Sequence, residues 1–184
     1  LVKILRDRKQ GEAIDWSKVP ASIKVWTVPP ERFKSETSHI VPLTDDALQV
    51  LESVPHFAGP AGNDHLFSTT GGVKPVNGFS KAKARLDREM LSTLVQNDEV
   101  EELPAFVIHD IRRTVRTRLS SLRISERIAE MVVGHGKKGL ARVYDQHEFA
   151  DEMREALDLW AGRLRSIVSP APDNVVQLDA RALP

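Results

Sequence analysis

Apolar residues are spaced differently in the two parts of the chain. Up to Pro55 they come in short runs separated by prolines and charges; from Phe79 onward they recur at intervals of three and four, the period of an amphipathic helix. Within the first part, Val2 and Leu5, with Ile4 beside them, give one apolar side to a basic helical piece over residues 1–12. Residues 23–28 are β-branched and aromatic and stop at Pro29-Pro30, which predicts a strand, and His39 to Leu43 predicts a second. The polar stretch Glu31 to Ser38 then reads as the connection of a β-hairpin. Thr44 is an N-cap candidate, followed by Asp45 and Asp46 where a helix dipole favours negative charge, and by Ala47, Leu48, Leu51 and Val54 as a buried stripe. Pro55 ends that helix. Residues 56–64 and 69–77 read as loops, with Leu66-Phe67 as a short apolar anchor between them.

The second part predicts four helices. Phe79, Ala82, Leu86, Met90 and Leu94 mark the first, and an acidic loop over residues 97–104 follows. Ile111, Val115, Leu119 and Leu122 form the stripe of the next. Ser125 caps a third helix carrying Ile128, Met131 and Val132, which ends at Gly134. Phe149, Met153, Leu157, Trp160, Leu164 and Ile167 mark the last. Pro170 and Pro172 keep the tail from continuing it, and residues 174–176 predict a short strand. The class is therefore α+β: mainly helical, with a small antiparallel sheet near the N-terminus. We expect one domain over residues 1–168 and a tail over 169–184, which either docks as an edge strand, on its own domain or on a neighbour's, or frays.

Composition narrows the function only a little. The 184 residues hold 26 basic and 26 acidic side chains, so net charge gives no sign of a nucleic-acid partner, and any such case rests on local clusters. The absence of cysteine excludes disulfides, zinc-thiolate sites and cysteine nucleophiles. There is neither a bilayer-length apolar run nor a secretory leader pattern, so no membrane partner is expected and the expected location is the cytoplasm. The first residue is not Met, so the chain reads as a piece of something longer.

Local clustering is found in the segment His109-Asp110-Ile111-Arg112-Arg113-Thr114. At a helical spacing of three, His109 and Arg112 share a face offset from the Ile111/Val115/Leu119 stripe. With Arg113, Arg116 and Arg118 this makes a cationic surface; taken alone it reads as a solvated helix face bearing an ordinary histidine. Val133-Gly134-His135 alone reads as a helix end with a histidine at the negative end of the dipole. Tyr144, the only tyrosine in the chain, alone reads as an amphipathic packing residue.

Together these pieces resemble the signature of the tyrosine recombinases, the phage-integrase family. The matching blocks are His109 to Thr114, Val133-Gly134-His135 and Val143-Tyr144-Asp145. Flanking likeness is found in Trp16-Ser17, Val25 to Pro29, Glu31 to Lys34, Leu66 to Ser68, Gly78 to Lys83 and Ala156 to Trp160, so the resemblance runs from about Trp16 to about Ile167. It implies the integrase catalytic fold, with Tyr144 as nucleophile and Arg112 as a phosphate clamp that is permanently charged and bidentate. His109 and His135 would donate to non-bridging oxygens, His109 also acting on the tyrosine proton. Lys34, in the hairpin connection, would protonate the departing 5′ oxygen. Arg113, Arg116, Lys81 and Lys83 are the expected DNA contacts. No cofactor or metal is implied. The partner would be double-stranded DNA at attachment sites, bound as a homotetramer, with a monomer when free.

One feature departs from the family pattern, which carries a further arginine in an Arg-x-x-Glu motif shortly before the block of Trp16. Counting back without gaps puts its place on Asp7, flanked by Arg6 and Arg8, and Arg8 lies four residues before Glu12. The first arginine is then Arg8 in a shifted helix, Arg6, or missing. Besides an active recombinase domain, an inactive remnant that only binds DNA and an unrelated helical interaction domain fit parts of the pattern.

Overall fold

A computed structural model of the chain describes residues 1–7, 12–34, 36–55, 65–97, 102–135 and 149–170. Tyr144, Arg8 and the 174–176 strand expectation lie outside these residues. The described elements are α1 (Val2–Asp7), β1 (Val25–Val28), β2 (His39–Pro42), α2 (Asp45–Ser53), α3 (Phe79–Gln96), α4 (Ile108–Ser121), α5 (Glu126–Val132) and α6 (Ala150–Val168), with single 3-10 turns at Trp16–Lys18 and Pro30–Arg32. The fold is the mainly helical α+β arrangement that the pattern predicts, its small antiparallel sheet formed by β1 and β2 with Val25 opposite Pro42 and Val28 opposite His39. The first strand begins two residues later than its β-branched run, because Ile23 and Lys24 instead close a turn onto the carbonyl oxygens of Pro20 and Ala21.

Two apolar clusters hold the described chain together. One joins α1, the Trp16 turn and α2 through Leu5, Trp16 and Leu48, with Leu43, Leu51 and Leu66 packed around them. Glu52 on α2 fixes that cluster's polar edge, accepting from the Ile14 amide at 2.8 Å and from the Trp16 indole at 2.9 Å. The Thr44 hydroxyl caps α2 by accepting from the Ala47 amide, satisfying one of the donors that a helix start leaves without an intrahelical partner. The other cluster joins α4, α5 and α6 through Leu119, Ile128, Ala129, Met153 and Ala156. Helix α6 spans the two: it packs on β2, and Arg154 donates to the carbonyl oxygens of Leu43 and Ala21 while Arg165 pairs with Asp46 of α2.

Several apolar positions with helical spacing are not buried. Ile111, expected in the α4 stripe, is 56 % exposed, whereas Leu119 is fully buried, because only the C-terminal half of α4 is covered by α5 and α6. Along α6, Leu164 and Ile167 are exposed and the close approach is made by Ala156 and Ala161, small enough to let the helix lie against its neighbours. Phe67 is likewise exposed, so Leu66 alone anchors its loop.

Candidate active site

Helix α4 presents the arginine-rich segment. Asp110, three residues past the N-cap, accepts from the Val107 amide at 2.8 Å, the reach-back half of a capping box, and also from Arg113 at 2.8 Å. The Val107 amide and, behind it, Arg113 hold the Asp110 carboxyl below the usual carboxylate range. Asp110 thus fixes where the helix starts, and the start decides which way the next turn faces. His109 and Arg112 are both exposed; Arg112 lies two turns before buried Leu119 on the same side of α4, at the end of the helix that α5 and α6 leave uncovered.

The arginines of this helix are not equivalent. Arg113 is paired with Asp110, and Arg116 is half-buried, donating from Nε to Glu130 at 2.5 Å and from Nη1 to Ser120 at 2.8 Å. Among the described residues Arg112 has no carboxylate within ion-pair distance, which leaves its guanidinium available to an anion. The basic side chains of α3 divide in the same way. Lys81 is exposed, whereas Lys83 pairs with Asp87 at 2.6 Å and lies 3.6 Å over the Phe106 ring.

His135 follows the end of α5. Gly134 takes the left-handed conformation at φ 72°, and the His135 amide turns back to the Glu130 carbonyl at 2.8 Å, a glycine-terminated helix end. Its imidazole Nδ1 meets the Glu130 carboxylate, so Glu130 bridges Arg116 and His135. The hydrogen bond from Arg116, and then that with His135, lowers the Glu130 carboxyl below its ordinary value. With Nδ1 engaged, Nε2 is the ring nitrogen left to face a substrate, and a histidine oriented by a carboxylate is suited to donate a hydrogen bond to a phosphate oxygen.

The hairpin reaches the same place. Phe33 and His39 stack with ring centroids 4.9 Å apart and planes 15° apart. Both rings lie on Gly134: a Cβ there would stand 2.8 Å from Phe33 Cζ and 3.2 Å from His39 Nε2. Burial, and then the positive charge of Arg112, pushes the His39 imidazole below the usual histidine value. Arg112, His39 and the Gly134–His135 step therefore belong to one neighbourhood, although Arg112 and His39 come from opposite halves of the chain. Lys34, next to Phe33, is exposed.

Phe33, His39 and Glu130 are the site neighbours that the sequence patterns did not single out. Phe33 falls inside the polar connection and His39 opens the second strand, so each read as an ordinary hairpin residue. Glu130 could have been found from its place five residues before His135 on a helix that ends in glycine.

Comparison with known proteins places the chain. The phage integrase family model matches residues 9–151. The prophage integrase IntA of Escherichia coli (strain K12) is 25% identical over 169 residues, covering 90% of this chain and 37% of that protein. The chain thus spans well under half the length of that relative. No solved structure matches.

Proposed function

The chain belongs to the phage integrase family, and from that premise we propose that it carries the strand-exchange chemistry of site-specific DNA recombination, as a tyrosine recombinase. The Tyr144 oxygen attacks the scissile phosphorus, a 3′-phosphotyrosyl bond forms, and the bond from phosphorus to the 5′ oxygen breaks. Lys34 gives that oxygen its proton. The 5′ hydroxyl of a partner strand then attacks the phosphotyrosyl bond and restores a phosphodiester, with the tyrosine oxygen leaving. The bond energy is held in the covalent intermediate, so rejoining draws on no nucleotide. Arg112 pairs with the non-bridging oxygens through its planar fork, and His109 and His135 donate to them as charge develops. His109 also takes the tyrosine proton. Lys81, Lys83, Arg113 and Arg116 are the proposed backbone contacts, Lys81 and Arg113 being the more exposed. A tetramer on DNA and the tail of residues 169–184 as a docking strand complete the proposal.

What supports this reading most is the meeting of the two halves. Arg112 stands close enough to His39 for its charge to act there, and His39 lies on Gly134, beside His135. A second reading, a remnant that binds DNA without cutting it, is favoured by Asp7 standing where the family pattern has an arginine. Trapping on a pool of nicked duplexes with a randomised core separates the two. The first reading expects a covalent protein–DNA adduct that Tyr144→Phe abolishes, with DNA affinity nearly unchanged, because phenylalanine keeps the ring and removes only the oxygen. DNA binding with no adduct from the unaltered chain supports the remnant, and an adduct that persists in Tyr144→Phe overturns the assignment of the nucleophile.

A further inference from the structure

Lys34 is attached to the site by very little chain. It sits one residue beyond Phe33, in a turn closed by the Glu36 amide donating to the Phe33 carbonyl at 2.9 Å. Glu36 itself takes a left-handed backbone, φ 55°. Such a turn is compact, but on its own it would swing with the hairpin. What stops it is aromatic. The Phe33 ring lies against the His39 ring of the facing strand, and both rest on the Cα face of Gly134, where no side chain larger than hydrogen fits without displacing Phe33. Gly134 is in turn the left-handed residue just past the Val133 C-cap of α5, and its next residue is His135.

We infer that Phe33 and His39 are positioning residues: their stacked rings, seated on Gly134, clamp the turn that carries Lys34 to the helix end that carries His135. This rests on the reading of Lys34 as the group that protonates the leaving oxygen. General-acid transfer demands that the donor be within hydrogen-bond reach of the oxygen, so a lysine on a hairpin that moves independently of the phosphate clamp would deliver its proton rarely. The clamp also explains why the contact is ring on ring. Burial, and then the nearby Arg112, disfavour the charged form of His39, which suits a ring that stacks flat on Phe33. The glycine at 134 then serves two needs together, a left-handed helix end and a flat seat for the rings.

Two measurements on the full chain test this. The first is amide hydrogen exchange without DNA, which needs no catalysis. Phe33→Leu keeps apolar volume and removes the ring; it should speed exchange of the Glu36 amide about tenfold or more while α4 exchanges as before. Unchanged exchange at Glu36 would overturn the clamp. If Phe33→Leu lowers the yield of folded protein, His39→Gln gives the same reading from the other ring, and His39→Phe, which restores a stack, should return exchange to the unaltered rate. The second is single-turnover cleavage of an ordinary phosphodiester and of a substrate with a 5′-bridging sulfur, whose thiolate leaves without a proton. Phe33→Leu should be slowed about tenfold or more on the first and match the unaltered chain on the second. Equal slowing on both would mean the rings act on the whole site and would overturn their specific action on Lys34. If Lys34→Ala is not rescued by sulfur, the general-acid reading itself fails, and the exchange measurement still decides the clamp.

Discussion

The two halves of the candidate site are held in place by different forces. On the helical side, His109, Arg112 and His135 are set by caps: Asp110 fixes the start of α4, and Gly134 with Glu130 fixes the end of α5. Behind those caps lies the cluster of Leu119, Ile128 and Met153. The hairpin side is anchored at the end of its second strand, where Pro42 is fully buried and Leu43 packs on the Leu5, Trp16 and Leu48 cluster. A two-stranded sheet is marginal on its own, and this one is held by α6 against β2, by Arg154 on the Leu43 and Ala21 carbonyls, and by two rings on Gly134. Under the proposed function both halves need fixed geometry: charge stabilisation of a phosphorane needs donors that do not reorganise, and a general acid needs to stay within reach of the leaving oxygen. In the proposed mechanism the helical half would hold the charge, and the hairpin, seated on Gly134, would carry the proton.

The largest expected effect strikes the helical half. Arg112→Lys keeps the charge and loses the fork, so cleavage should fall by about 10²–10³ while DNA affinity falls far less. Single-turnover rates beside equilibrium binding check this, and an unaltered rate would make Arg112 a solvated surface residue. The next strikes the joint between the halves. Gly134→Ala puts a Cβ 2.8 Å from Phe33 Cζ and strains a left-handed backbone. We expect a loss of about 1–3 kcal/mol, read as a fall in melting temperature of roughly 2–4 °C per kcal/mol for a chain of this size. A melting temperature equal to that of the unaltered chain would mean the rings do not rest on Gly134.

The smallest effect is in the pH dependence of stability. The Glu130 carboxyl is lowered, first by Arg116 and then by His135, so its folded value lies below its unfolded one. Its contribution is therefore fully present above the unfolded carboxylate value of about 4.3 and is lost as pH falls through the lower folded value. Chemical denaturation from neutral pH downward should show Glu130→Gln less stable than the unaltered chain near neutrality, with the gap closing in acid. A gap that widens in acid would contradict the pairing. Exposure of Glu130 keeps the effect modest.

Legibility in the sequence follows the same division. Helices α2 and α5 were readable because their caps are local: Thr44, Ser125 and Gly134 act within one turn of where they stand, whereas α4 was read from its apolar stripe. The adjacency of His109 and Arg112 followed from a spacing of three; their exposure comes from lying on the uncovered end of α4. Burial was less readable. Ile111 belongs to the same periodic stripe as Leu119, yet coverage is decided by where α6 crosses, which no local pattern records. The hairpin's seat was not readable at all, since Phe33, His39 and Gly134 meet through contacts between residues about a hundred positions apart in a chain of 184. Family membership came from motif order, to which periodicity contributed only the helical setting of each block.

The division of labour between the halves is tested most directly by one substrate exchange. Single-turnover cleavage by Arg112→Lys and by Lys34→Ala would be compared on an ordinary phosphodiester and on the same duplex with sulfur in the 5′ bridging position. Both variants should be slow on oxygen. On sulfur, Lys34→Ala should regain the rate of the unaltered chain, because the thiolate leaves unprotonated, while Arg112→Lys should stay slow, because the phosphorane still carries its charge. Rescue of both, or of neither, would contradict the account.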